Sequence, residues 1–267
     1  MSPVASPTPT HAPRALRHRR STRRLSAGQL ADLRNAIAAA QQIGDDRGYQ
    51  YWAGIHGLPL PEWCQHGSPL FLPWHRAYLY YFEKSLQDRV PGVTLPWWDW
   101  TQFHDEGISR AYSRKQTPAR KANPLYSSPI QPSGRRDPKE AKTWRAPGRP
   151  GGLPTLPAVE RVLANRDFGT FQVQLEEIHN GIHIWTGGTM QSIETAAYDP
   201  LFWAHHCMID RLWYLWQLDH PGAHLPPSYL NQALPPFGMT VRQTLDITAL
   251  GYDYAAATAA VKGPAGG

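Results

Sequence analysis

The sequence predicts a mainly α-helical protein in which the longest helices form a bundle joined by long irregular loops. Apolar residues recur at helical spacing in several stretches, whereas no alternating pattern of useful strand length occurs. Nine prolines lie between residues 117 and 158, which is typical of a long loop. With 267 residues, the chain is long enough for one sizeable core.

Five helical stretches support this prediction, and each has a signal at its start or end. Ser26 can cap the first helix, Gly57 ends the second, and Pro73 suits the first turn of the third. A pair of glycines at 187–188 stops the fourth helix, and a Pro-Gly pair follows the fifth. The predicted helices cover about 26–40, 45–56, 73–89, 168–184 and 199–218, and the Trp-rich stretch 95–101 is predicted to be a packed extended segment.

The net charge of +6 belongs to one end of the chain. Residues 1–25 contain six Arg and no acid, so the remaining 21 basic residues balance 21 acidic ones. We therefore expect a disordered basic tail over 1–25, a folded domain over 26–255 that includes the loop 117–158, and a C-terminal tail over 256–267. A charge-balanced core argues against a nucleic-acid partner.

Targeting and membrane signals are missing from the sequence. No run of about 18 apolar residues exists, which argues against a membrane-spanning helix. The Arg pairs near the N-terminus are not followed by an apolar segment, so no signal peptide is evident. The expected location is the cytoplasm, or outside the cell if a partner carries the protein out.

The sequence contains twelve histidines, and several of them are candidate metal ligands. His179 and His183 are four residues apart on one predicted helix, so both can bind the same metal ion. His205 and His206 are adjacent on the next helix and point about 100° apart, so we expect only one of them to face that site. His56, His66 and His75 lie on or beside the earlier helices. Imidazole-rich sites suit copper or zinc, and spacing alone does not choose between them.

Two blocks of sequence resemble the binuclear (type 3) copper family of tyrosinases, catechol oxidases and mollusc-type hemocyanins. The first block covers 64–76, CQHGSPLFLPWHR, and continues to LPWWDW at 95–100. The second block covers 176–185, EEIHNGIHIW, followed by DPLFWAHH at 199–206. The resemblance is to the short, bacterial-type, single-domain members, and it implies a four-helix bundle that holds a binuclear copper site. It also implies that no C-terminal shielding domain covers that site.

The resemblance implies a ligand for each position of the copper pair. His56, His66 and His75 would bind one copper ion, CuA, and His179, His183 and His206 would bind the other, CuB. Beyond the ligands, His205 would support the site, Phe202 would pack against the copper pair, and Cys64 would form a thioether bond with the ring of His66.

The resemblance also implies roles for residues around the ligands. Glu176 and Asn180 would hold a water molecule that deprotonates monophenols. Tyr252 and Tyr254 would close the core against an N-terminal arginine such as Arg23 or Arg24, residues 186–200 would shape substrate access, and a separate partner protein would deliver copper.

The function implied by the resemblance is that of a copper-dependent tyrosinase. It would ortho-hydroxylate a phenolic small molecule and oxidise the resulting o-diphenol to an o-quinone, with O2 as co-substrate. The alternatives are a catechol oxidase or o-aminophenol oxidase without monophenolase activity and, in a different class, a hemocyanin-like oxygen carrier. A zinc hydrolase is a further alternative, although such an enzyme usually keeps a water-bearing three-ligand site.

Overall fold

The computed structural model describes residues 16–60, 63–102, 106–223 and 225–255. The described part is mainly α-helical, with one small two-stranded sheet. The helices are α1 (Ala27–Gln41), α2 (Tyr49–His56), α3 (Phe71–Gln87), α4 (Arg110–Ser113), α5 (Leu156–Leu163), α6 (Phe168–Thr186), α7 (Ile193–Ala196), α8 (Pro200–Asp219) and α9 (Val241–Thr244), and the strands are β1 (Arg17–Arg19) and β2 (Tyr252–Tyr254).

The predicted helices are present, and local side chains explain where they begin. Ser26 caps α1 through its hydroxyl, which accepts a hydrogen bond from the Gln29 backbone, and the Gln29 side chain bonds back to the Ser26 N–H. Asp167 and Asp199 cap α6 and α8 in the same way, each accepting from a backbone N–H of the first turn. The second helix begins at 49 rather than 45, and the third begins at 71.

A bundle of α2, α3, α6 and α8 forms the centre of the molecule. Sixteen of the twenty residues of α8 are buried, and so are fourteen of the seventeen residues of α3. Helices buried on all sides belong to the interior of a protein rather than to its surface. Trp203 of α8 stacks on Phe82 of α3 with ring centroids 3.6 Å apart, so these two helices pack closely against each other. The mainly α fold and the bundle are thereby confirmed.

In the N-terminal segment the structure differs from what the sequence predicts. The prediction of a disordered tail over 1–25 is wrong for residues 16–25, because β1 pairs in parallel with β2 and the Arg19 side chain is completely buried. Residues 1–15, and the predicted C-terminal tail 256–267, lie outside the described residues. The strand was missed because it is three residues long and pairs with a segment more than 230 residues away.

Arg19, and not Arg23 or Arg24, is the arginine that contacts the C-terminal tyrosines. Its guanidinium lies 3.8 Å from the ring centroid of Tyr252 and donates a hydrogen bond to the Tyr254 hydroxyl at 3.1 Å. Arg23 instead pairs with Glu106 at the surface, and Arg24 is exposed.

The long loop 117–158 is irregular except for two short 3-10 turns (Pro132–Gly134 and Pro150–Gly152) and the start of α5. Its later part is fixed to the end of α6, since the Ala146 and Gly148 N–H groups donate to the carbonyls of Thr186 and Trp185. Arg145 then forms an ion pair with Asp199, the cap of α8. None of the helices in the described ranges has the length and apolar character needed to cross a bilayer.

Candidate metal centre

Six histidines converge between the helices of the bundle as two groups of three. The N-terminal cluster consists of His56 at the end of α2, His66 in the following loop and His75 on α3. Their ring centroids are 5.2 to 5.7 Å apart. The C-terminal cluster consists of His179 and His183 on α6 and His206 on α8, with the Nε2 atoms of His179 and His206 3.1 Å apart.

The two clusters face each other directly. His75 and His206 stack with ring centroids 4.5 Å apart, and the centroids of His66 and His179 are 5.8 Å apart. Phe202 lies between the clusters, with its ring centroid 4.0 Å from that of His206 and 4.8 Å from that of His56. The structure therefore brings together all six histidines that the sequence singled out, with the aromatic residue beside them.

Backbone carbonyls determine which nitrogen of three rings carries the proton. The Nδ1 atom of His56 lies 3.0 Å from the Ile193 carbonyl oxygen, and the Nδ1 atom of His75 lies 2.8 Å from that of Phe71. The Nδ1 atom of His183 lies 2.8 Å from the carbonyl oxygen of Met190. A carbonyl oxygen can only accept, so each Nδ1 must donate its proton and leave a lone pair on Nε2.

Burial keeps these imidazoles neutral. Loss of hydration lowers the pKa of all six, to about 4 for His66 and His183. Neutral rings can present lone pairs to a metal ion at neutral pH, whereas protonated rings cannot.

The donor set fits two copper ions. The Nε2 atoms of His56 and His75 are buried and have no hydrogen-bond partner in the part of the chain that the structure describes, an arrangement that is costly unless a cation binds there. In the C-terminal cluster, the Nε2 lone pair of His183 points at the Nε2 atom of His206 from 3.4 Å. Among the described residues, the groups able to hold a metal ion contain only His and Cys, and such a set suits copper better than magnesium or calcium.

His205 lies closer to the site than its position on the helix predicts. It is completely buried, and its ring stacks on that of His179 with centroids 5.1 Å apart. One ring nitrogen each of His205, His206, His179 and His183 lies within 4.8 Å of the others. His206 meets His179 through its ring nitrogen, whereas His205 meets it by stacking, so the expectation that only one of the adjacent pair is a ligand stays a prediction.

Cys64 lies beside the N-terminal cluster. Its Sγ atom donates a hydrogen bond to the His56 carbonyl oxygen at 3.1 Å, and it lies within 4.8 Å of ring nitrogens of both His56 and His66. The thiol is thus close to the ring with which a thioether bond was predicted. Cys207 is buried in the core.

A cavity of about 800 Å³ leads from the surface to His66. Glu176 and Asn180 line its inner end, whereas its opposite wall is formed by residues 222–223, 225–227 and 229. Residues 186–200 do not line it, so the expectation that they shape access is not met by this cavity. They instead supply the carbonyls of Met190 and Ile193 that orient His183 and His56.

Glu176 and Asn180 both connect the cavity to the histidines. Glu176 is 6% exposed, and its Oε1 atom accepts a hydrogen bond from the Gly67 backbone N–H, next to His66, at 2.6 Å. Burial raises the pKa of Glu176, although hydrogen bonds from Gly67 and Gln172 oppose that shift. The Oδ1 atom of Asn180 lies 3.0 Å from Nδ1 of His179 and can accept a hydrogen bond from it, which would leave the Nε2 lone pair directed inward.

Comparisons with known proteins agree with this arrangement. A family model described as the common central domain of tyrosinase matches residues 46–219. The chain is 34% identical, over 256 residues, to the hemocyanin G-type, units Oda to Odg, of Enteroctopus dofleini, which covers 88% of this chain and 8% of that protein. It is 31% identical, over 224 residues, to grixazone synthase of Streptomyces griseus, which covers 64% of this chain and 72% of that one.

A solved structure shows the same fold. The tyrosinase of Burkholderia thailandensis matches with a TM-score of 0.77 at 24% identity, covering 90% of this chain and 74% of that one. At this level of identity the likeness concerns the fold alone. The chain spans less than a tenth of the length of the octopus hemocyanin, whose many units it matches only in part.

Proposed function

This chain belongs to the tyrosinase family of binuclear copper proteins, and we propose that it is a copper-dependent oxidase of phenols. It would ortho-hydroxylate monophenols and oxidise the resulting o-diphenols to o-quinones, with O2 as co-substrate. The observation that carries the proposal is the cavity that reaches His66 and has a carboxylate and an amide at its inner end. Such a cavity admits a phenol to the histidine clusters.

The six histidines are the proposed ligands. His56, His66 and His75 would hold one copper ion, and the C-terminal cluster would hold the other. When bound, the copper pair supplies O2 binding and the transfer of electrons from the phenol. The protein contributes rings whose orientation is held by carbonyls on α3 and on the segment 186–200, so the site needs little rearrangement before it binds metal.

Glu176 is the proposed base for monophenols. A phenol has to lose its proton before its oxygen can bind a metal ion, and a carboxylate with a raised pKa is a stronger base than an ordinary one. The proton would move to the Glu176 carboxylate through a water molecule held between Glu176 and Asn180, while Gly67 and Gln172 hold the carboxylate in place. Phe202 and Phe71 pack on the rings of His56 and His75, where they limit the entry of bulk water.

An oxygen carrier is the second candidate, because the hemocyanin similarity covers most of the chain. The two candidates differ in what the cavity is for. A carrier binds only O2, which does not need a carboxylate and an amide beside a cavity of about 800 Å³.

Oxygen uptake by the copper-loaded protein distinguishes these functions. We expect sustained uptake with a monophenol, with its catechol and with an o-aminophenol, and two copper ions per chain by metal analysis. Uptake with the catechol or aminophenol alone would make the protein an oxidase without hydroxylase activity. Reversible O2 binding without turnover of any of the three would make it a carrier.

A further inference from the structure

The cavity beside the histidines continues well beyond the reacting groups. Its inner end contains Glu176 and Asn180, and its outer end contains Arg166 and Gly169 at the start of α6. At 1.5 Å per residue, the distance along the helix from Asn180 to Arg166 is about 20 Å. A cavity of about 800 Å³ suits a drug-sized ligand, so a simple phenol would leave most of it unfilled.

The walls between the two ends are largely apolar. Phe168 and Val173 form the side that belongs to α6, and Leu225, Pro227 and Tyr229 lie on the other side. Val173 is 54% exposed although it is apolar, and it projects at the edge of the cavity. Burial of apolar surface on binding is favourable, so these walls favour a ligand with an apolar body between its ends.

The outer end contains one arginine and one aspartate, Arg166 and Asp167. Arg166 makes no hydrogen bond or ion pair with any other residue that the structure describes. The neighbouring Asp167 is already engaged, because its Oδ1 atom accepts hydrogen bonds from the backbone and the hydroxyl of Thr170. A guanidinium in this position is a ready partner for a carboxylate.

We propose that the substrate is a phenol that carries a long apolar substituent ending in a carboxylate, an inference that rests on the function proposed above. The phenol ring would lie against Glu176 and Asn180, the substituent would follow α6, and the carboxylate would pair with Arg166.

Three catechols test this specificity without depending on hydroxylase activity. The first is the mono-amide of octanedioic acid with dopamine, which has an apolar chain and a terminal carboxylate. The second is its methyl ester, and the third is 4-methylcatechol. We expect kcat/KM for the acid to exceed that for 4-methylcatechol by about tenfold or more, since each methylene group buried in the cavity makes binding more favourable. The acid should exceed the ester by about threefold, the range of an exposed ion pair.

Two variants locate the effect in the outer half of the cavity. In Gly169→Leu, the new Cβ meets only Asp167 Oδ1, at 3.4 Å, and because Gly169 lines the cavity we expect the added side chain to narrow its outer half. The ratio of kcat/KM for the acid to that for 4-methylcatechol should fall about tenfold. Gly28→Leu is the matched control, because Gly28 is also the second residue of a capped helix, meets only Ser26 Oγ at 3.8 Å, and lies outside this cavity. Arg166→Gln should remove the preference for the acid over the ester.

Binding to the copper-free protein provides a readout that does not require turnover. Calorimetry should show that the acid binds the wild type more tightly than it binds Gly169→Leu. If 4-methylcatechol is not oxidised, the proposed function fails. The calorimetric comparison of the wild type with Gly169→Leu still decides the substrate class, because it does not require turnover. Equal kcat/KM for the three catechols, or an unchanged ratio in Gly169→Leu, would overturn the proposal. Should Gly169→Leu fail to fold, Val173→Asp at the exposed edge serves in its place.

Discussion

Replacing Arg19 by Met should destabilise the protein severely, although Arg19 lies in a segment that looks like a flexible tail. The guanidinium donates hydrogen bonds to Glu83 at 3.0 Å, to Asp210 at 3.2 Å and to Tyr254 at 3.1 Å, and it stacks on Tyr252. It joins the N-terminal strand, α3, α8 and the C-terminal strand at a point that is closed to water.

The size of the effect follows from what the substitution leaves behind. Asp210 keeps hydrogen bonds from Arg76 and the tyrosine hydroxyls, but among the described residues Glu83 keeps only the Leu95 backbone N–H, at 2.7 Å. Removing one partner of a buried ion pair costs about 3–5 kcal/mol, because the other charge stays buried without compensation. This is a large part of the roughly 5–15 kcal/mol by which folded domains are stable.

The loss in the free energy of unfolding can be measured by urea denaturation, with the fluorescence of the eleven Trp residues as the signal. Arg24→Met is the matched control, since Arg24 is exposed, and its stability should change by no more than about 0.5 kcal/mol. Adding Glu83→Gln to Arg19→Met should recover part of the loss, because the unpaired carboxylate is then neutral. A loss below about 1 kcal/mol in Arg19→Met would refute the assignment of the N-terminal strand to the core.

Three further predictions concern pH, catalysis and covalent chemistry. Burial raises the pKa of Asp210, but Arg76 and Arg19 more than offset this and hold the pKa below its ordinary value. The stabilisation from Asp210 is therefore present above the unfolded pKa of about 3.9 and is lost as the pH falls through the folded pKa, so the urea midpoint should drop between about pH 5 and pH 3. Glu176→Gln should lower monophenol turnover about 100-fold and catechol turnover far less, because only the monophenol requires a base. After copper loading in air, the tryptic peptide 48–76, which contains both Cys64 and His66, should be two hydrogens lighter than its sequence requires by mass spectrometry.

Each of these predictions has a control in the same chain. Glu177→Gln, on the exposed neighbour of Glu176, should leave the ratio of monophenol to catechol turnover unchanged. Cys64→Ser should yield the same peptide, 48–76, at its full sequence mass. An equal loss of monophenol and catechol turnover in Glu176→Gln would assign Glu176 to holding the loop at Gly67 instead of to proton transfer. A urea midpoint that does not change between pH 5 and pH 3 would contradict the account of Asp210.

The helices and the types of ligand could be predicted from local patterns. The cap at Ser26, the proline at 73 and the glycines at 187–188 act within one turn of their own helix, so their effects depend little on the rest of the chain. The spacing of His179 and His183 likewise places both rings on one face of α6 whatever α6 packs against.

Other parts of the site could not be predicted, because they depend on residues far apart in the chain. Arg19 looked interchangeable with the other arginines of a basic segment until its strand paired with β2 and buried it. The stacking of the His205 ring on that of His179 joins two different helices, which the geometry of one helix alone does not reveal. The carbonyls that orient His56 and His183 come from a turn segment that contains no distinctive side chain.

The sequence by itself therefore determined that this protein is a helical bundle with imidazole ligands, and its two motif blocks determined the family. Helical periodicity, capping and ligand chemistry are properties of neighbouring residues, so they can be read before the chain folds. Only the tertiary structure decided which ring nitrogens face inward, which arginine closes the core and how far the cavity extends along α6. These features arise where α3, α6, α8 and the chain ends meet, and burial there sets the charge and orientation of each group.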